Sequence, residues 1–259
     1  MPKERKPQSY YDDIKRKFAE ERDLRLNYRP EGTSQFTSVL TGDLAKYAVD
    51  PYGDETRERN PIKDQVEVLF IGGGFSALLT SARLREKGIE SIRIVERGAD
   101  VGGTWYWNRY PGVACDVVSY DYLPLLDEMN YVPVNHYSRG AEILTHCQAI
   151  ANKYDLYKLA VFQTTVTGTI WNEEEQLWHV KTDRGDHMRA QFVICANGTL
   201  SKPKLSRIEG MESFKGHSFH TSRWDYDYTG EKSENLTDKI VGIIGTGASA
   251  VQAVPELAK

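Results

Sequence analysis

The sequence predicts an α/β fold in which two strand–glycine-turn–helix units flank an antiparallel β-meander, the second unit being incomplete. Three observations carry this. Residues 66–71 are mostly apolar, rich in β-branched side chains, and run straight into Gly72-Gly73-Gly74 with a helix-like stretch behind. Residues 239–244 repeat the pattern ahead of Gly245-Thr246-Gly247. Between them, residues 161–170, 177–182 and 188–195 read as strands separated by turn-rich stretches at 172–176 and 183–186.

Residues 1–60 form a polar N-terminal extension. Ser9 followed by Asp12 resembles a capping box, and Tyr11, Ile14 and Phe18 share one face at helical spacing. A helix docked on the main domain is expected there. Its polar face mixes both charge signs, unlike a basic membrane-surface helix. Pro30-Glu31-Gly32 and Asp50-Pro51-Tyr52-Gly53-Asp54 mark turns. Residues 61–200 form the first unit: strand 66–71, helix 76–87 closed by Gly88, strand 91–96, a helix at 141–153, and the meander as an insertion. Residues 201–259 hold a connection and the start of the second unit, whose helix opens near Ala248.

With 259 residues, 40% hydrophobic and 27% charged, the chain reads as an ordinary globular protein. A net charge of −4 argues against nucleic-acid binding, because no basic surplus exists to neutralise phosphates. No apolar run approaches the roughly 20 residues that span a bilayer. The charged N-terminus also lacks the apolar core of a signal peptide. Cys115, Cys147 and Cys195 are too far apart for a zinc site or a redox pair, which suits a reducing, cytoplasmic setting. His136, His146, His179 and His187 show no metal-ligand spacing, so no metal site is expected.

The first glycine turn, Gly72-Gly73-Gly74-Phe75-Ser76-Ala77, fits G-x-G-x-x-[GA] between a strand and a helix. Gly72 permits the tight turn, Gly74 lets backbone approach a pyrophosphate, and Ala77 lets the helix pack on the strand. The helix N-terminus then offers free N–H groups and a positive dipole end. Glu96 ends the second strand, where a carboxylate can accept from a ribose 2′-hydroxyl and would repel a 2′-phosphate. The unit is therefore read as a Rossmann-like site for FAD or NAD. The second turn, Gly245-Thr246-Gly247-Ala248-Ser249-Ala250, implies a second nucleotide unit, as needed where a nicotinamide delivers hydride to a flavin.

Residues 102–116, GGTWYWNRYPGVACD, match [AG]-G-x-W-x-x-x-x-[FY]-P-[GM]-x-x-x-D at every anchor. Residues 214–225, FKGHSFHTSRWD, match F-x-G-x-x-x-H-x-x-x-W-[PD]. These are the two fingerprints of Baeyer–Villiger monooxygenases, and from about residue 62 onward the chain resembles their N-terminal portion. The long extension is similar to the subgroup acting on large or polycyclic ketones. The resemblance implies two cofactors, FAD and NADPH, and insertion of one oxygen atom of O2 beside a ketone carbonyl to give an ester or lactone.

It also implies roles. Gly72, Gly74 and Ser76 would line the FAD pyrophosphate and Glu96 the adenosine ribose. Gly103, Thr104 and Trp105 would run beside the flavin, with Tyr122 and Val166 as further contacts. Asp116 matches the active-site aspartate, a buried carboxylate that pairs with an arginine. Thr246, Gly247, Ala248 and Ser249 would hold the NADPH pyrophosphate, with Gln252 beside them. His220 is expected to position and Trp224 to pack, while Arg109 is either an electrostatic partner of the flavin site or a loop cation. That arginine partner and most of the NADPH unit are expected beyond Lys259, in a longer polypeptide or a complementary chain. The competing readings are a flavin-containing monooxygenase acting on nitrogen or sulfur, and a truncated, non-catalytic FAD-binding module.

Overall fold

The computed structural model describes residues 6–27, 36–37, 42–53 and 58–259. The turn expected at residues 30–32 lies outside the described residues. The chain opens with α1 (Gln8–Asn27) and β1 (Phe36–Thr37). Then come β2 (Gln65–Ile71), α2 (Phe75–Glu86), β3 (Ile92–Val95) and three one-turn helices, α3 (Thr104–Trp107), α4 (Ser119–Tyr122) and α5 (Leu126–Met129). Next are α6 (Gly140–Lys153), β4 (Ala160–Val161), β5 (Val166–Asn172), β6 (Leu177–Thr182), β7 (His187–Cys195), β8 (Leu205–Ser206), α7 (Tyr226–Thr229) and α8 (Ala248–Leu257).

Six strands form one sheet in the order β4-β3-β2-β7-β6-β5. Strands β4, β3, β2 and β7 run parallel, and β5–β6–β7 are antiparallel neighbours. The apolar run of β2 is explained by burial on both faces, as in any parallel core strand. Val68 and Phe70 join Ile92, Ile94, Leu78 and Ile150 beneath α2 and α6. Leu69 packs the other way, with Val95, Val180 and Met188.

One expectation about the meander is corrected. The strand expected at residues 161–170 is two strands: β4 pairs with β3, the chain turns at residues 162–165, and β5 pairs with β6. Gln163, at φ +50°, marks the break. The antiparallel meander itself is present, as β5–β6–β7. Its third strand, β7, pairs along β2 from Gln65↔Arg189 to Ile71↔Cys195, so it completes the central sheet.

The extension is helical, but its expected docking is also corrected. Ser9 lies inside α1, where the Tyr10 N–H donates to the Pro7 carbonyl. Tyr11, Ile14 and Phe18 are 43%, 51% and 66% exposed. Tyr10, Leu24 and Leu26 on the same helix are exposed as well, and pairs such as Arg16–Glu20 support the exposed helix locally. Residues 42–53 do dock: Tyr47 is buried beside Leu205, and β1 pairs antiparallel with β8. The strand expected at residues 239–244 is likewise absent. That stretch has no ladder partner, and Ile240 and Ile244 stand 105% and 77% exposed. Among the described residues no helix is long and apolar enough to cross a membrane, and no cluster of His, Cys, Asp or Glu could hold a metal ion.

Candidate functional site

A groove of about 720 Å³ opens at the carboxyl ends of β2, β3 and β7, where ligands bind in open α/β sheets. Gly72, Gly74, Ser76, Glu96, Gly103, Thr104, Trp105, Tyr122 and Val166 all line it. The local sequence explains the shape. Gly72 turns the chain at φ +107°, and a Cβ there would stand 2.5 Å from the Ala196 carbonyl oxygen. Gly74 and Gly103 face each other across the groove floor: a Cβ on Gly103 would meet the Gly74 Cα at 2.9 Å. Two glycine turns from different motifs thus meet in one cradle of exposed backbone, with the N-terminus of α2 opening from Gly74.

Glu96 is 5% exposed. One carboxylate oxygen accepts the Gly73 N–H and the other the Gly98 N–H, both at 2.6 Å. Burial pushes its pKa up, against these two bonds that favour the ionised form. The residue therefore staples the glycine turn to the end of β3 and keeps spare lone pairs for a hydroxyl ligand. In the groove wall, Trp105 donates its indole N–H to the Tyr122 hydroxyl at 3.0 Å, and the Phe75 ring packs 5.3 Å from the Tyr122 ring. Burial raises the Tyr122 pKa and keeps it a neutral phenol.

Other expected site residues lie elsewhere. Asp116 is solvent-exposed and does not line the groove, which corrects the expectation of a buried carboxylate. The four residues Thr246–Ser249 sit on an open turn outside it: a Cβ on Gly245 or Gly247 would meet nothing within 4 Å. Gln252 bonds to the first fingerprint. Its amide oxygen accepts from the Tyr110 hydroxyl at 2.9 Å and its amide nitrogen donates to the Ala114 carbonyl at 2.9 Å. These bonds clamp α8 to the first fingerprint. Arg109 lies over the rings of Tyr52 and Tyr106, at 4.3 and 4.7 Å, rather than in the groove.

The second fingerprint is a packing and capping unit. Trp224 is buried with Tyr110 and Ala253, and its indole donates to Thr229. His220 Nδ1 accepts from the Ser222 N–H at 3.1 Å. Burial, then the nearby Arg223, lowers the His220 pKa, so it serves as a neutral cap. Sequence reasoning missed Arg97, Trp107, the strip from Asn197 to Lys202 and Lys204, all of which line the groove. The strip follows the carboxyl end of β7. It carried a signal, Asn197-Gly198 after an apolar strand, which is legible only once β7 is known to lie in the parallel sheet.

The profile of the pyridine nucleotide-disulphide oxidoreductase family matches residues 69–259, across both glycine turns. The chain belongs to this family. Within it, the chain is 50% identical over 251 residues to the Baeyer-Villiger monooxygenase ATR8 of Stachybotrys chlorohalonatus, a match covering 95% of this chain and 40% of that protein. The structure is similar to polycyclic ketone monooxygenase of Thermothelomyces thermophila, with a TM-score of 0.83 and 38% identity, covering 89% of this chain and 40% of that one. It is also similar to OTEMO solved in complex with FAD and NADP, with a TM-score of 0.67 and 34% identity over 77% of this chain and 38% of that one. The resemblance carried by the two fingerprints is borne out, and the chain spans about two fifths of the length of the curated relatives it matches.

Proposed function

We propose that this chain binds FAD and forms the flavin-binding part of a Baeyer–Villiger monooxygenase that uses NADPH and O2 to convert a ketone into an ester or lactone. One observation carries the reading: the glycine turn, Glu96 and the first fingerprint meet in a single groove. The residues fit the cofactor. The Gly74–Gly103 cradle has room for a pyrophosphate only because neither residue carries a Cβ, and α2 directs free N–H groups toward it. Glu96 would hold the adenosine ribose, Ser76 the pyrophosphate, and Thr104, Trp105, Tyr122 and Val166 the ring system. When bound, the flavin supplies hydride acceptance and oxygen activation; the protein's part is to orient the partners and exclude water.

In the whole protein, the exposed Asp116 is open to the cation it is proposed to pair with. Residues 246–249 would serve the NADPH pyrophosphate once strand 239–244 is paired. We assign residues 61–200 to the flavin-binding part, 201–259 to the connection and start of the NADPH unit, and 1–60 to an extension. The likeness to a polycyclic ketone monooxygenase supports a large or polycyclic ketone as substrate. Three free cysteines suit a reducing, cytoplasmic setting.

Purified protein mixed with FAD and passed through gel filtration is expected to retain flavin absorbance; a colourless protein would overturn the cofactor assignment. The full-length enzyme should show ketone-stimulated NADPH oxidation. Turnover of thioethers but of no ketone would sink the Baeyer–Villiger reading.

A further inference from the structure

Arg223 is 4% exposed, yet among the described residues no carboxylate lies within ion-pair distance of it. A buried cation with no carboxylate in contact is costly, and burial, then the nearby Arg97, pushes its pKa down to about 10 against the more distant pull of Asp50. Its guanidinium is held by other means. The plane lies 3.9 Å over the Trp107 ring, and its N–H groups donate to three carbonyls: Val49 at 3.1 Å, Ser201 at 3.0 Å and Ser222 at 2.6 Å. These belong to three separate stretches of chain. Val49 is in the docked N-terminal segment, Ser201 follows the sheet, and Ser222 sits in the turn capped by His220.

Trp107 and Ser201 are themselves walls of the groove. Arg97, a third lining residue, donates to the same Ser201 carbonyl at 2.7 Å and lies 4.7 Å over the same indole. Two like charges therefore converge on one ring and one carbonyl, an arrangement that opposes itself electrostatically and survives only because the surroundings hold both. The N-terminal segment adds support: Asp50 accepts from the Tyr106 hydroxyl at 2.7 Å, and the Tyr52 hydroxyl accepts the Trp224 N–H at 2.9 Å.

We propose that Arg223 is a positioning residue for the flavin, its guanidinium fixing the Trp107 and Ser201 walls of the groove and keying them to the N-terminal segment at Val49. The inference rests on the reading of the groove as the FAD site. A planar fork is required, since only it can stack on an indole while donating in three directions; lysine keeps the charge but not the plane.

The test is FAD affinity, read by flavin fluorescence, beside the melting temperature of the same 259-residue protein. Arg223→Lys and Arg223→Met should each weaken FAD binding by about tenfold or more. Trp107→Phe should do likewise, and Arg223→Lys combined with Trp107→Phe should be no weaker than the worse single variant, because both act through one contact. Tyr47→Phe is the control. It removes the 2.8 Å hydroxyl contact with Ser218, in the same N-terminal segment but away from the groove. It should lower the melting temperature and leave FAD affinity unchanged. If Arg223→Lys also lowers only the melting temperature, Arg223 is merely structural and the inference is overturned. Should Arg223→Met fail to fold, Arg223→Lys decides. Wild-type protein that binds no FAD would instead overturn the groove assignment, and this inference with it.

Discussion

Gly72 and Gly74 occupy neighbouring positions in one motif, but the structure assigns them different physical tasks. Gly72 is required by the backbone: it sits at φ +107°, and a methyl group would strike a carbonyl oxygen at 2.5 Å. Gly74 is in an extended conformation at φ −83°, and a methyl group would touch Gly103 only at ordinary contact distance, 3.4 Å. Gly72→Ala should therefore cost about 2 kcal/mol or more of stability. Gly74→Ala should cost no more than about 1 kcal/mol, the usual price of alanine at a helix cap, yet weaken FAD binding by filling the cradle. Urea denaturation beside flavin titration of both variants checks this; equal effects on stability would refute the division. The motif alone named both glycines. It could not say which served the fold and which the ligand, because that depends on Ala196 and Gly103, far away in sequence.

At the scale of elements, the pair of half-buried Arg59 and buried Asp186 ties the segment entering β2 to the turn before β7. Both Asp186 oxygens accept from Arg59 at 2.6 Å, and they also accept from the Ile62 N–H at 2.7 Å and the Thr182 hydroxyl at 2.6 Å. Burial alone would raise the Asp186 pKa, but Arg59, the Ile62 N–H and Thr182 outweigh it and hold the value at about 2. An unfolded aspartate titrates near 3.9. The folded value is the lower one, so the unfolded chain binds more protons in this window. The contribution, about 2 kcal/mol, is complete above about pH 4 and is lost as the pH falls through about 2. Asp186→Asn should lose about 3 kcal/mol at neutral pH by leaving Arg59 unpaired, and its stability should respond less to acid. Urea midpoints measured across this range would settle it; an unchanged acid response would refute the assignment. Local periodicity marked 183–186 as a turn. The role of Asp186 was not legible, because its partner lies 127 positions away.

Across the whole molecule, the two glycine units show what a motif achieves with and without tertiary support. Their turns have nearly the same backbone: Gly72 and Gly245 lie at φ +107° and +116°, and the cap glycines Gly74 and Gly247 at φ −83° and −78°. Beside the first turn, β2 is paired on both sides; beside the second, residues 239–244 are unpaired and Ile240, Ile244 and Val251 are exposed. Two outcomes are expected: these amides should exchange hydrogen far faster than those of β2, and the exposed apolar stretch should bind anilinonaphthalene sulfonate in the native state. Protection of residues 239–244 equal to that of β2 would contradict the structure described here. By itself the sequence determined the glycine turns, the helices behind them, the boundaries of β6 and the family, because these rest on backbone conformation, short-range periodicity and side-chain identity. Tertiary structure alone decided that β7 belongs to the parallel sheet, that residues 161–170 divide into two strands, that Asp116 is exposed and that Gln252 faces the first fingerprint. The reason is physical: a strand and a buried contact each need a partner, and the partner is chosen by the fold rather than by the segment.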